Sequence, residues 1–393
     1  RSPAPSPSTQ ASYVEQFVNG SLADLRLARD YLGSLPYAAA SLAFTAYVNA
    51  LAANYTLWAL KVSASGGNPG SLLEGQASSV YSEALSTISS AELYVNRSST
   101  LTFDELMATA FARLADALYY ASYAESLAGQ VNQSALYVPA YYLAMAKARI
   151  LSAIGWLMEA NASMDQGPNI TSGLLSATAS AVGGFTDVGV RYADSLIAYY
   201  VQQLESQGDY ADASVLQAME NDLNFLVSEG DKMLSQGYYL AAIGVYEDAL
   251  TNALNVIFIE TRSFSSGFVI SSYANELRIE YAALAVDLAK RGLLSSLDTA
   301  YMGYASALMS TDPQDAISIM EAAVIDELTW YLGVLQYGQA QPQIVQQIVS
   351  TSSSLTGMTA VALAALALGA TLAASVALWS YKRALKALSS SRT

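Results

Sequence analysis

The side chains in this chain that could do chemistry are carboxylates in close pairs: Asp104 with Glu105, Glu220 with Asp222, Glu247 with Asp248, and Asp326 with Glu327. Two carboxyls flanking a substrate are the equipment of a glycoside hydrolase, one as acid and the other as base or nucleophile. Adjacent residues on a helix point in different directions, however, so these pairs read as solvated helix faces. Composition closes the other routes. The 393 residues contain no His and no Cys, which removes Ser-His-Asp and Cys-His nucleophiles, His or thiolate metal sites, and disulfides. A Ser-Lys dyad fails too, because no serine stands three residues before Lys61, Lys147, Lys232 or Lys290. P-loop, nucleophile-elbow and EF-hand signatures are absent. The chain is expected to have no catalytic residue, no metal site and no cofactor.

The formal charge is -15, and all 33 acids precede residue 355. Nucleic acid is not an expected partner, since phosphate binding needs clustered Lys and Arg. Charged residues make up only 13% of the chain while Tyr reaches 27, so Ser, Tyr and Asn supply much of the polarity. Adjacent tyrosines recur at Tyr119-Tyr120, Tyr141-Tyr142, Tyr199-Tyr200 and Tyr238-Tyr239. One ring of each doublet is free to pack inward while the other reaches solvent or a partner, and tyrosine suits protein or glycan partners. Core filling in an Ala-rich bundle is the preferred account of the tyrosines.

Six N-x-Ser/Thr sequons, at Asn19, Asn54, Asn96, Asn132, Asn161 and Asn169, all lie in the first half of the chain, mostly at predicted helix ends. Glycans there would shield that half and leave residues 190–340 open for contacts.

The elements that position these residues read as helices almost throughout. The opening RSPAPSPSTQ, residues 1–10, reads as a Pro/Ser linker following a removed signal peptide or a preceding domain. In the first predicted helix Tyr13, Phe17, Leu22, Leu25 and Leu32 fit a 3.6 period, which Pro36 breaks. Further helices are predicted over 37–61, 72–94, a fourth from Thr102, and one to about Met164 with Pro139 in its first turn. Thr102 with Glu105 has the form of a capping box. Residues 11–164 form a glycosylated helical subdomain on this reading, and the Gly/Ser-rich stretch 165–190 is a loop or broken helix joining it to the next.

Six more helices are predicted across 191–340, with extended structure allowed only in 263–272. There SQGDY at 206–210 recurs as SQGYY at 235–239, each with a glycine placed to close one helix and a tyrosine placed to pack at the start of the next. QGYYLAAIGVYEDAL and DPQDAISIMEAAV resemble tetratricopeptide-type hairpins. The offset of 29 and the missing consensus pattern favour antiparallel helical hairpins stacked side by side over a true repeat family.

After a stalk at 341–354, Leu355 to Trp379 carries no charge and would span roughly 37 Å as a helix. The sequence therefore predicts a transmembrane helix over 355–381. Lys382, Arg383, Lys386 and Arg392 in the tail 382–393 would place the C-terminus in the cytoplasm and the bulk outside. Ala365, Gly369, Ala373 and Ala377 form a small-residue stripe suited to self-association in the bilayer.

The PYAAASLAFTAYVNA stretch from Pro36 to Ala50, the Tyr/Ala-rich helices, the sequons and the final run with its Lys-Arg tail resemble the C-terminal region of secreted, membrane-anchored Lon-like serine proteases of archaea. The resemblance implies an archaeal cell-surface setting and a helical companion to a Ser-Lys protease domain that this sequence does not contain. The overall expectation is an all-α, single-pass envelope glycoprotein. It would be a non-catalytic scaffold of the surface-layer-associated type, whose partners are the lipid bilayer and other envelope proteins or glycans. The alternatives are the anchoring and substrate-handling portion of a processed protease, or a subunit of a larger membrane complex or surface filament.

Overall fold

The computed structural model describes residues 7–33, 36–92, 99–130, 135–163, 168–264, 270–310 and 313–340. They form eleven helices and one two-stranded ribbon, dividing into two compact units: Arg1–Ser172 with Phe225–Tyr246, and Gly173–Asn224 with Glu247–Thr393. The all-α expectation is correct. Its membrane component is corrected: among the described residues no helix is long and apolar enough to cross a membrane. Even α2 (Pro36–Ala64), whose only charge is Lys61, is interrupted by Asn49, Asn54 and Thr56. The run 355–381, its small-residue stripe, the stalk and the basic tail lie outside the described residues.

Proline starts helices here more often than it ends them. Pro7 opens α1 (Pro7–Tyr31), Pro36 opens α2 and Pro69 opens α3 (Pro69–Glu92). At the first helical position the missing N–H has no intrahelical partner to lose, and the ring's fixed φ suits the turn. The linker reading of 1–10 is therefore corrected from Pro7 onward, and Pro36 is an entry signal.

The centre of the first unit is α4 (Leu101–Gln130), with nineteen of its thirty residues buried. α3 packs antiparallel to it, with Gly70 against Ala128 and the Ser78 hydroxyl donating to Glu125 at 2.7 Å. α5 (Tyr137–Ala162) returns along its other side, pairing Arg149 with Asp116 at 2.9 Å. α2 lies against α5, and α1 against α2, where Asn49 donates to Asp24 at 3.3 Å. The ribbon of β1 (Ser99–Thr100) and β2 (Asn169–Ile170) pairs Ser99 with Ile170 and Thr100 with Asn169. It holds the entry to α4, where the Ser99 hydroxyl bonds Asp104 at 3.0 Å and the Leu101 N–H bonds the Pro168 carbonyl at 2.9 Å. The helix starts at Leu101, so Thr102 is inside it and the expected capping box is replaced by this latch.

α1 reverses an expectation. Its Leu22, Leu25 and Leu32 are 48%, 49% and 69% exposed, while Ser21 and Ala28 are buried. Small residues let α1 lie close on α2, with Gly20 against Asn49, and the bulkier leucines turn outward.

In the second unit α11 (Pro313–Ala340) runs among α6 (Ser172–Gln207), α8 (Tyr239–Phe264), α9 (Ile270–Lys290) and α10 (Ser296–Leu308). Partner numbers fall on α11 as they rise on α6 and α8. Thr178 meets Gly333, Gly173 meets Tyr337, and Ser318 donates to Asn255 at 2.8 Å. Ala274, Leu277, Met302, Ala305, Ile317 and Met320 form one apolar cluster among α9, α10 and α11.

The Gly/Ser-rich stretch expected as a connection is helix from Ser172 onward. Two of its glycines serve close approach: a Cβ on Gly173 would sit 2.9 Å from the Tyr337 ring, and one on Gly189 3.0 Å from Leu250, whereas Gly184 faces open space. In 263–272, where strand was allowed, α8 runs to Phe264 and α9 begins at Ile270. Residues 265–269 lie outside the described residues.

The echo at 206–210 and 235–239 is a repeated helix stop, closing α6 and α7 (Tyr210–Ser235). Gly208 and Gly237 both have φ of 80°, and the following N–H bonds back to Leu204 and to Met233, each at 2.9 Å. Only glycine adopts this left-handed cap without a Cβ penalty. The tyrosine expectation does not hold for Tyr210, which is 68% exposed. Gly237→Ala is expected to lower stability by about 1 kcal/mol, read as a reduced urea midpoint with unchanged slope.

Candidate functional site

Two features of the structure concentrate chemistry: aromatic rings in the first unit, and buried carboxyls that occur in each unit separately. In the first, tyrosines form a continuous ring system. Tyr13 of α1 stacks on Tyr137 of α5 with centroids 3.8 Å apart, and four residues along, Phe17 lies parallel to Tyr141 at 6.0 Å. Tyr141 meets Tyr142 edge to face at 5.9 Å, and Tyr142 does the same with Tyr123 of α4 at 4.7 Å. Tyr123 stacks on Tyr119 at 5.9 Å, and Tyr119 touches Phe225 of α7 at 5.5 Å. The chain of rings thus runs from the unit's interior to the α1–α5 surface.

There the rings line an open cleft of about 330 Å³, walled by Tyr13, Phe17, Tyr137, Tyr141 and Tyr142, with Gln16 and Val138 completing it. The aromatic rings supply apolar faces and the hydroxyls a polar rim. A hydrogen bond between Tyr13 and Tyr137, followed by burial, pushes the Tyr137 hydroxyl up to about 12, so it stays protonated.

Doublet rings touch each other edge to face, at 5.5 Å for Tyr119 and Tyr120 and 4.9 Å for Tyr199 and Tyr200. The expected inward-outward division is therefore incomplete. Tyr119 is buried, but its neighbour joins the same ladder through Tyr142 at 6.1 Å.

The second feature is a set of carboxyls inside the helix packing. Asp104, Glu105, Asp298, Glu321 and Glu327 are all at most 2% exposed. Solvated helix faces, expected for the acidic pairs, are thus overturned for Asp104-Glu105 and for Glu327. Asp104 and Glu105 sit in the covered first turns of α4, Asp298 on α10, and Glu321 and Glu327 on α11.

Burial pushes Asp104 up to about 8, with the Ser99 hydroxyl opposing weakly. Glu321 rises to about 7 by burial, offset by a 2.7 Å hydrogen bond from the Tyr273 hydroxyl. Glu327 rises to about 8 through burial and then the charge of Asp326, offset by a backbone bond at Ser295. Asp326 is raised by burial as well, and its carboxyl shares hydrogen bonds with Asp298, Glu247 and Trp330. Asp116, also buried, lies between Arg149 at 2.9 Å and Arg113 at 3.6 Å. Among the described residues no group of three or more acids is placed to hold a metal ion.

Of the sequons, Asn19, Asn54, Asn161 and Asn169 are exposed, while Asn96 and Asn132 lie outside the described residues. Asn19 and Asn54 fall within α1 and α2 instead of at helix ends, and the sequon residue Thr56 is buried with its hydroxyl bonded to the Ala52 carbonyl at 2.7 Å.

The doublets pointed to the ring ladder, but nothing in the sequence joins α1 to α5. The buried acids carried only a faint signal, their position within long helices rich in alanine.

No family model, curated protein or solved structure matches the chain. The resemblance to Lon-like protease companions therefore rests on the quoted residues alone.

Proposed function

We propose that this chain is a non-catalytic helical interaction protein, a scaffold of the cell envelope that acts by presenting surfaces. The observation that carries the reading is the outward stripe on α1, where Val18, Leu22, Leu25 and Leu32 are 42–69% exposed on one side of the helix. An apolar stripe left uncovered on a helix that packs through small residues such as Ser21 and Ala28 is the form of a protein docking surface. The carboxyls add nothing catalytic on this reading, because they lie among packed helices and not in a cleft. Exposure of Asn19, Asn54, Asn161 and Asn169 is compatible with glycan attachment outside the cell.

The test is native purification of the chain carrying Leu22→Asp and Leu25→Asp beside the unsubstituted chain. A stoichiometric partner retained by the unsubstituted chain and lost by the variant, with helicity unchanged, is the expected result. The reading fails if the unsubstituted chain runs at its own mass with no partner.

A further inference from the structure

We propose that the α1–α5 cleft is a binding site for a small organic cation with a weakly hydrated charge, of the quaternary ammonium class. Its walls are five aromatic rings, from Tyr13, Phe17, Tyr137, Tyr141 and Tyr142, around about 330 Å³. An aromatic face carries negative electrostatic potential and attracts a cation that has little hydration to lose; with Tyr13 stacked on Tyr137 and Phe17 parallel to Tyr141, at most one face of each pair, together with the Tyr142 ring, is available to the cleft. A tetraalkylammonium head fits this requirement, because its methyl groups contact rings and its charge needs no hydrogen bond. A carboxylate or phosphate does not fit, since among the described residues no cationic side chain lines the cleft.

The cations closest in sequence are already paired with carboxylates, although the charge of Arg149 also reaches the Tyr141 hydroxyl. Lys147 Nζ bonds the Glu83 carboxylate at 2.6 Å, and Arg149 bonds Asp116 at 2.9 Å while lying 5.2 Å over the Phe44 ring. α1 carries Glu15 and Asp24, and no Lys or Arg precedes Arg26 on it. The field of the whole chain, at -15, acts in the same direction and raises the local concentration of cations.

The lining also argues for a cation over a neutral apolar guest. Tyrosine faces strengthen cation binding, and a site built for hydrocarbon alone gains nothing from four tyrosines over leucine or valine. The hydroxyl of Tyr137 is held protonated by its bond with Tyr13, so it adds no charge of its own.

This site is separate from the leucine stripe on α1, so the two readings fail separately. The probe is choline, titrated calorimetrically into the full chain, beside its neutral carbon isostere 3,3-dimethylbutan-1-ol and glucose. Choline is expected to bind at least tenfold more tightly than the isostere, with glucose showing no heat. Phe17→Leu and Tyr141→Leu should each weaken choline at least threefold, and Tyr141→Phe should retain it.

Equal binding of the isostere would make the cleft merely apolar, and preferential glucose binding would make it a sugar site. Absence of choline binding would leave no site. Each of these results overturns the proposal, and the comparison among ligands needs no variant to fold. Loss of choline binding in these variants, with the partner of the α1 stripe retained, identifies the cleft by itself.

Discussion

Gly244→Ala is expected to be the most damaging single-methyl substitution in the first unit, and Gly333→Ala its counterpart in the second. A Cβ on Gly244 would overlap the carbonyl of Ala108 on α4, with the Ala108 Cα only 2.9 Å away. A Cβ on Gly333 would overlap the Thr178 hydroxyl and come within 2.7 Å of its Cβ and 2.9 Å of its Cα. In both places the obstacle includes backbone of a packed helix, which cannot rotate away as a side-chain tip can.

Overpacking of a core commonly costs about 1–3 kcal/mol, and a backbone obstacle puts these two at or above the upper end. Better helix propensity returns less than about 1 kcal/mol. For units of this size the expected fall in melting temperature is about 6–12 °C, measured by calorimetry. Gly155→Ala is the control, because nothing lies within 4 Å of its Cβ and it sits inside α5. That variant should be stabilised by about 0.5–1 kcal/mol. Equal melting temperatures for Gly155→Ala and Gly244→Ala would mean that α8 does not cross α4 as described.

The second large effect is on pH. Folding raises the carboxyls of Asp104 and Glu327 from 3.8 and 4.5 to about 8, and of Glu321 from 4.5 to about 7. Between the unfolded and folded values the folded chain binds more protons, so stability falls as pH rises. The contribution is complete below about pH 4, where both states are protonated, and is lost as pH climbs through 7 to 8. Each tenfold change in proton affinity is worth about 1.4 kcal/mol. Asp104 and Glu327 should each withdraw on the order of 4 kcal/mol across that window.

Thermal melts from pH 4.5 to 8.5 should show a steady decline, and with no His in the chain no imidazole contributes to it. Asp104→Asn and Glu327→Gln should flatten the decline and raise the melting temperature at pH 8. A melting temperature that instead rises with pH would show these carboxyls to be ionised and paired. For Glu327 the titration is joined to Asp326, Asp298 and Glu247, which face the same interior, so its substitution should alter the slope over a broad range.

Both effects come from features that local pattern misreads. Gly173, Gly184 and Gly189 belong to a stretch whose composition suggests a loop, yet α6 passes through it unbroken. Glycine has two uses, freedom of the backbone and closeness of the backbone, and only the neighbour decides which applies. At Gly189 the neighbour is Leu250, and at Gly333 it is Thr178. By contrast Gly208 and Gly237 were legible, because a helix stop is local and its hydrogen bonds close within six residues.

The acids follow the same logic. Adjacent carboxyls on an isolated helix divide between two faces, and one is assumed to meet water. On α4 and α11 that assumption fails, because both faces are covered. On α1 the error runs the other way, since a leucine period without enough partners leaves Leu22, Leu25 and Leu32 outside.

The sequence by itself determined the all-α class, the helix entry at Pro313, the glycine stops, and the loss of His and Cys chemistry, since each depends on residue type or on bonds made within a turn or two. Tertiary structure alone decided that Asp104, Glu105 and Asp116 on α4 are enclosed, that α1 turns its leucines outward, and that aromatic rings from four helices come together. A helical period tells which residues share a face, but what covers that face is set by helices distant in the chain.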